Sequence, residues 1–143
     1  MENNNVLLIK NATILDVEEK REIEADILIK NGKIAAIEQT IDIYTDNIID
    51  AGKRYVTSGL LDCHTHLGLK GDSQGFEGID HNEKNDPVTP QMRGLDGINP
   101  LDVTVKEALA HGVTTVGSGP GSTNVFGGTF ACIKTYGECV DDM

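Results

Sequence analysis

A chain of 143 residues with a formal net charge of −11 and 38% hydrophobic residues is long enough to bury a core and too acidic to present a nucleic-acid-binding surface. No apolar run approaches the roughly 18 residues of a membrane span, so no membrane partner is expected. The chain is also too short for a complete (β/α)8 barrel, which takes roughly 250 residues.

The first residues, Met1-Glu2-Asn3-Asn4-Asn5, are polar and lack a positively charged leader region. No secretory signal is expected, and the cytoplasm is the default compartment. Residues 1–57 read as all β. Val6-Leu7-Leu8-Ile9 and Ala12-Thr13-Ile14-Leu15 are two short β-rich runs separated by Lys10-Asn11. Asp26–Lys30 and Lys33–Ile37 flank Asn31-Gly32, a pair that readily takes φ > 0 at both positions and so predicts a hairpin. Asn47–Asp50 and Lys53–Val56 flank Ala51-Gly52 and suggest a second one. Short strands with turns between them predict a small β-sandwich.

The apolar stretch Val56-Thr57-Ser58-Gly59-Leu60-Leu61-Asp62 then runs into Cys63-His64-Thr65-His66. Side chains alternate along a strand, so His64 and His66 are predicted on one side, with Cys63 facing away. Two imidazoles placed in this way can share one metal ion at Zn–N distances of roughly 2.0–2.1 Å. Asp62 shares their face by spacing. It is read either as a buried structural carboxylate or as a group that orients a histidine. Cys63, Cys132 and Cys139 are odd in number and form no Cys-x-x-Cys. They read as reduced thiols packed like small hydrophobes rather than as a disulfide framework.

From Gly68 to Asn99 the sequence is rich in Gly, Asp and Asn and contains Pro87 and Pro90. A loop of this length is usually functional or disordered. It carries Glu77, Asp80, His81, Glu83, Asp86 and Arg93, read mostly as solvated charges, with His81 a plain surface histidine in preference to a third ligand. Residues 100–111 read as a helix. Leu101, Val105, Ala108 and Leu109 form its apolar stripe, Asn99 caps it, Pro100 sits in the first turn and Gly112 at the C′ position. His111 in the last turn suits the helix dipole, a structural role. Val113-Thr114-Thr115-Val116 is a β-branched run, so strand, loop, helix and strand together predict a βαβ crossover. Gly117–Asn124 fits neither phosphate-loop pattern and reads as a tight loop lining a pocket. Thr129–Tyr136 reads as an extended apolar strand.

Gly59-Leu60-Leu61-Asp62-Cys63-His64-Thr65-His66 resembles the N-terminal metal motif of the amidohydrolase superfamily, Pro-Gly-Leu-Ile-Asp-x-His-x-His. Leu61 stands for Ile, and Ser58 for Pro. Asp96-Gly97-Ile98-Asn99-Pro100, Ala110–Val116 and Gly119-Pro120-Gly121-Ser122 are similar to segments of the imidazolonepropionase-related branch. The resemblance covers essentially the whole chain but only the N-terminal portion of that family. It implies an α/β fold with an all-β start. A β-sandwich subdomain over residues 1–57 is followed, over 58–143, by the first βα units of an incomplete (β/α)8 TIM-type barrel. It further implies hydrolysis of a C–N bond in an amide, cyclic amide or dipeptide-like small molecule by metal-activated water. The divalent metal is most readily zinc, held here by His64 and His66. No catalytic or other cofactor-binding residue is assigned, because the further ligands and the catalytic aspartate of the family lie on later strands.

The chain therefore reads as a truncated piece of a longer hydrolase or a shortened gene product, inactive by itself. Open strand edges predict a homo-oligomer. Two other readings compete: a non-catalytic β-rich binding or assembly module, and a metal site completed by another chain.

Overall fold

Three strands, β1 (Val6–Asp16), β2 (Arg21–Lys30) and β3 (Lys33–Glu38), form an antiparallel meander in the computed structural model, which describes residues 5–71, 75–79 and 81–143. Asp80 and the polar residues Met1–Asn4 thus lie outside the described residues. The β2–β3 turn is the one that Asn31-Gly32 predicts, with φ of 52° and 73° giving the twist that a two-residue hairpin needs.

The runs 6–9 and 12–15 are one strand interrupted by a β-bulge. The register passes from Ile9↔Ile27 to Ala12↔Ala25, so Lys10 and Asn11 together oppose Asp26. Asn11 turns into the left-handed region at φ 55° and donates its N–H to Asp26 Oδ1 at 2.9 Å. Asp26 Oδ2 accepts from the Ile41 N–H at 3.0 Å. Asp26 is only 3% exposed, and these bonds make its burial tolerable.

The second predicted hairpin does not form. The strands β4 (Ile48–Asp50) and β5 (Tyr55–Val56) both lie parallel to β1, against Leu8–Lys10 and Thr13–Ile14. Gly52 and Lys53, at φ 56° and 65°, turn the chain only locally. Bonds from Ala51 N–H to Lys10 O, Lys53 N–H to Asn11 O and Thr13 N–H to Arg54 O keep it on the β1 edge.

Among the described residues this unit, Met1–Ser58, is one five-stranded sheet. One cluster gathers Leu8, Leu28 and Ile41, and another gathers Ala12, Ile27 and Ala51. Leu8 and Leu28 pair across the strands, as do their neighbours Ile9 and Ile27, so the two clusters occupy opposite faces. Segments of the unit itself, around Ile41 and Ala51, cover what a second sheet would cover.

The second unit, Gly59–Met143, holds β6 (Leu60–Thr65), β7 (Val113–Ser118) and β8 (Ala131–Lys134) in the order β6-β7-β8. β6 and β7 are parallel, as a crossover requires. β8 is shorter than the predicted 129–136 strand and runs antiparallel to β7. Residues 119–130 contain no helix to carry the chain back, and without a crossover a neighbouring strand reverses.

The crossover contains a one-turn helix, α1 (Gly94–Gly97), and α2 (Val103–Ala110). α2 starts later than predicted. Its cap is Asp102, whose Oδ1 accepts from the Thr104 N–H at 2.9 Å and hydroxyl at 2.7 Å. Asn99 precedes a proline, which disfavours the helical region for it, and its Oδ1 accepts from the Leu101 N–H instead. Leu101, outside the helix, is exposed, whereas Val105 is buried. Gly112 ends the helix at φ 86°, as expected.

Ile98, Val116 and Ile133 form the core of this unit. The three cysteines are free, but all are exposed, against the expectation of packed thiols. Cys63 and Cys132 lie on the outer strands of a three-stranded sheet. Among the described residues no helix is long and apolar enough to cross a membrane.

Candidate functional site

Three of the chain's four histidines gather where β6 ends. The rings of His64 and His66 lie 5.6 Å apart, centroid to centroid, edge to face at 80°. Bonds of roughly 2.0–2.1 Å and a tetrahedral angle put two zinc-bound imidazole centroids roughly 5 Å apart, so the pair fits a shared divalent ion. His64 is exposed and His66 half-buried. Phe130 packs on both, at 4.9 and 6.2 Å.

His66 Nδ1 lies 2.7 Å from the Gly119 carbonyl oxygen. A carbonyl only accepts, so Nδ1 carries the proton and Nε2 the lone pair. Metal-ligating imidazoles are commonly held in this way. The contact depends on how β7 ends. Ser118 is fully buried and donates its hydroxyl to Leu67 O at 2.7 Å, while the Gly119 N–H reaches Thr65 O. A Cβ on Gly119 would run into the Phe130 ring.

His81 is not the plain surface histidine predicted for it. It is half-buried and stacks on His66 at 5.1 Å and 30°. Burial holds its pKa below the usual histidine range, helped by the charges of His66 and Lys70, which favours the neutral ring. Its Nε2 lies 3.0 Å from the Asn82 side-chain amide, and its Nδ1 is buried without a hydrogen-bond partner. Among the described residues no three His, Cys, Asp or Glu side chains already form a ligand set.

Asp62 is exposed and accepts from the His64 backbone N–H at 3.1 Å. It is neither a buried carboxylate nor bonded to a ring. His111 keeps the expected structural role: it closes α2, with Nδ1 2.8 Å from Glu107 O. The loop charges serve local turns. Glu83 accepts from the N–H groups of Asn85 and Asp86, which hold its carboxyl below the usual range. Asp86 accepts from the Val88 N–H, and Arg93 pairs with Asp96. His66 borders a cleft of about 560 Å³ with Lys70 and Thr104. His81 borders another, of about 380 Å³, with Met92 and Arg93.

No family model matches the chain. Over 82 residues it is 40% identical to amidohydrolase tasK of Hapsidospora irregularis, a stretch covering 57% of this chain and 8% of that protein. It is also similar to the crystal structure of an amidohydrolase from Thermotoga maritima MSB8, with a TM-score of 0.83 and 39% identity over 95% of this chain and 35% of that one. The chain is similar to an N-terminal portion of amidohydrolase superfamily proteins, spanning about a third or less of the relatives it matches. A prolidase crystallised with N-methylphosphonate-L-proline shares the fold alone, at a TM-score of 0.51 and 18% identity over 78% of this chain and 25% of that one.

Members of the amidohydrolase superfamily generally use divalent metals, and His64 and His66 are donors of the right kind. Sequence reasoning missed three neighbours of these histidines: Gly119, Phe130 and Asn82. Gly119 lay in a run read as a pocket loop and as a segment of the family resemblance, with no contact to a histidine assigned. The available signal was a glycine directly after a β-branched strand, where a backbone can approach closely.

Proposed function

We propose that this chain is the N-terminal portion of a metal-dependent amidohydrolase that hydrolyses C–N bonds of an amide, cyclic amide or dipeptide-like small molecule. His64 and His66 hold the metal, most readily zinc. The observation that carries the reading is the His64–His66 ring pair, with the His66 tautomer fixed by Gly119 O. A bound divalent ion would supply Lewis acidity and lower the pKa of water toward neutrality. The chain's own residues do the rest. Gly119 O holds the proton of His66 at Nδ1, so that Nε2 is available as a donor. Phe130 lies beside both rings. The full-length enzyme acts in the cytoplasm as a homo-oligomer, and the chain alone lacks turnover because the other ligands and proton-transferring groups lie on later strands.

The test is zinc binding to the wild type and to H64Q and H66Q, set beside amidase assays of the isolated chain and its longer parent. Zinc binding lost in both variants, with turnover only in the parent, is the expected outcome. Zinc binding indifferent to both substitutions rejects the reading.

A second reading, a non-catalytic assembly module, is favoured by the exposure of Leu60 and Leu61 on β6, at 55% and 63%. Sedimentation with and without zinc separates the two. Self-association independent of zinc and of both histidines favours the module.

A further inference from the structure

Strand β3 is an open edge of the first unit's sheet. Among the described residues it pairs with β2 alone. The opposite edge consists of β4 and β5, only three and two residues long, and short edge strands are poor templates for another strand. β3 runs for six residues, Lys33-Ile34-Ala35-Ala36-Ile37-Glu38. Its charges stand only at its ends, and Ile34 and Ile37 are 64% and 46% exposed.

This strand is its own complement when reversed. Run antiparallel against a copy of itself, it sets Lys33 opposite Glu38, Ile34 opposite Ile37 and Ala35 opposite Ala36. Directly opposed residues share a face of the sheet. In a regular strand, residues three or five apart lie on different faces, which would forbid this pairing about a two-fold axis. A β-bulge removes the obstacle. The register with β2 passes from Leu28↔Ala36 to Ile29↔Ile34, so Ala35 is the extra residue. Ile34 and Ile37 lie opposite Ile29 and Ile27, and so share one face. Lys33 and Glu38 lie opposite Lys30 and Asp26, and so share the other. Bulges commonly guard an edge, but this one makes β3 self-complementary. The small side chains of Ala35 and Ala36 fall at the axis, where the irregular backbone leaves least room.

From this we infer that β3 is the docking edge for a second copy of the chain, joined antiparallel about a two-fold axis so that the two sheets become continuous. Each contact then occurs twice, as an isologous interface requires. Ile34 and Ile37 of both copies form one apolar cluster, and the two Lys33–Glu38 pairs hold the register on the other face. Exposed ion pairs select the partner more than they add affinity. A six-residue edge is small for a stable interface, so the dimer is weak and concentration-dependent. The inference gives a surface to the homo-oligomer of the proposed function and rests on that expectation, not on the reading of His64 and His66.

Sedimentation of the wild-type chain, K33E, E38K, K33E/E38K and a one-to-one mixture of the two single variants tests it. The wild type should pass from monomer to dimer with concentration. Each single variant places like charges opposite each other at both symmetric sites and should associate about tenfold more weakly. The double variant and the mixture restore opposite charges and should recover the wild-type association, which a folding defect could not do. L60Q/L61Q, in the second unit, should associate like wild type. A wild type that stays monomeric, or single variants that associate like wild type, overturns the inference. Single variants that weaken without recovery in the double variant and the mixture overturn it too. Association lost in L60Q/L61Q but kept in K33E and E38K rejects β3 while leaving a homo-oligomer through β6. In the K33E background, the comparison with and without zinc reports on β6 alone.

Discussion

The carbonyl oxygen of Gly119 lies 2.7 Å from Nδ1 of His66, linking the end of β7 to the histidine just beyond β6. A backbone group fixes the tautomer, so the sequence need only keep residue 119 small. A Cβ there would meet both the ring and the Cα of Phe130. G119A should cost about 1–3 kcal/mol through overpacking. By shifting the carbonyl it should also weaken zinc binding by about 10–100-fold. Thermal denaturation and calorimetry read the two effects separately, and unchanged zinc affinity would argue against the carbonyl's role.

Asp26 is the buried carboxylate of the first unit, and it accepts from two backbone N–H groups. D26A orphans both, at about 1–3 kcal/mol each. D26N keeps one carbonyl oxygen as acceptor and should lose less. Urea denaturation gives the ranking, and a D26A midpoint equal to wild type would mean that water replaces the carboxylate.

Asp102 caps α2 through Oδ1, while its Oδ2 is buried without a partner. D102A should lose the cap, about 1 kcal/mol. D102S keeps an acceptor and removes the unpaired oxygen, so it should match or exceed wild type. Melting temperatures decide, and D102S falling below D102A would refute this account of the cap.

Acid sensitivity should be partly traceable to Asp50. The Asn11 side-chain amide, and next the Gly52 N–H, hold its carboxyl below the ordinary value of 3.8. A carboxyl with a lowered folded-state pKa adds stability above its unfolded value, and that stability disappears as pH falls through the folded value. D50N should therefore be less stable than wild type at neutral pH and lose less on acidification. Parallel denaturation curves at pH 7 and in acid provide the check, and an identical pH dependence for both proteins would contradict it.

The pattern of residues revealed local structure and missed pairing choices. Asn31-Gly32 gave its hairpin because two left-handed residues determine a turn by themselves. Ala51-Gly52 did not, because the β1 edge competed for the same backbone groups. The β1 bulge was invisible because it depends on Asp26, 15 residues away from Asn11. In the site, the spacing of His64 and His66 was enough to bring their rings together, since strand alternation is local. His81 was misjudged because its surroundings come from residues distant in sequence: its ring stacks on His66, the Gly121 N–H bonds its carbonyl, and Thr123 bonds the neighbouring Asn82. No periodicity encodes such a contact.

The central claim, that His64 and His66 form a metal site, is tested most directly by calorimetric titration of zinc into the wild-type chain and into the H64Q/H66Q double variant. The account predicts saturable binding of about one ion per wild-type chain and none in the double variant, with both proteins folded by circular dichroism. Superimposable isotherms would contradict it.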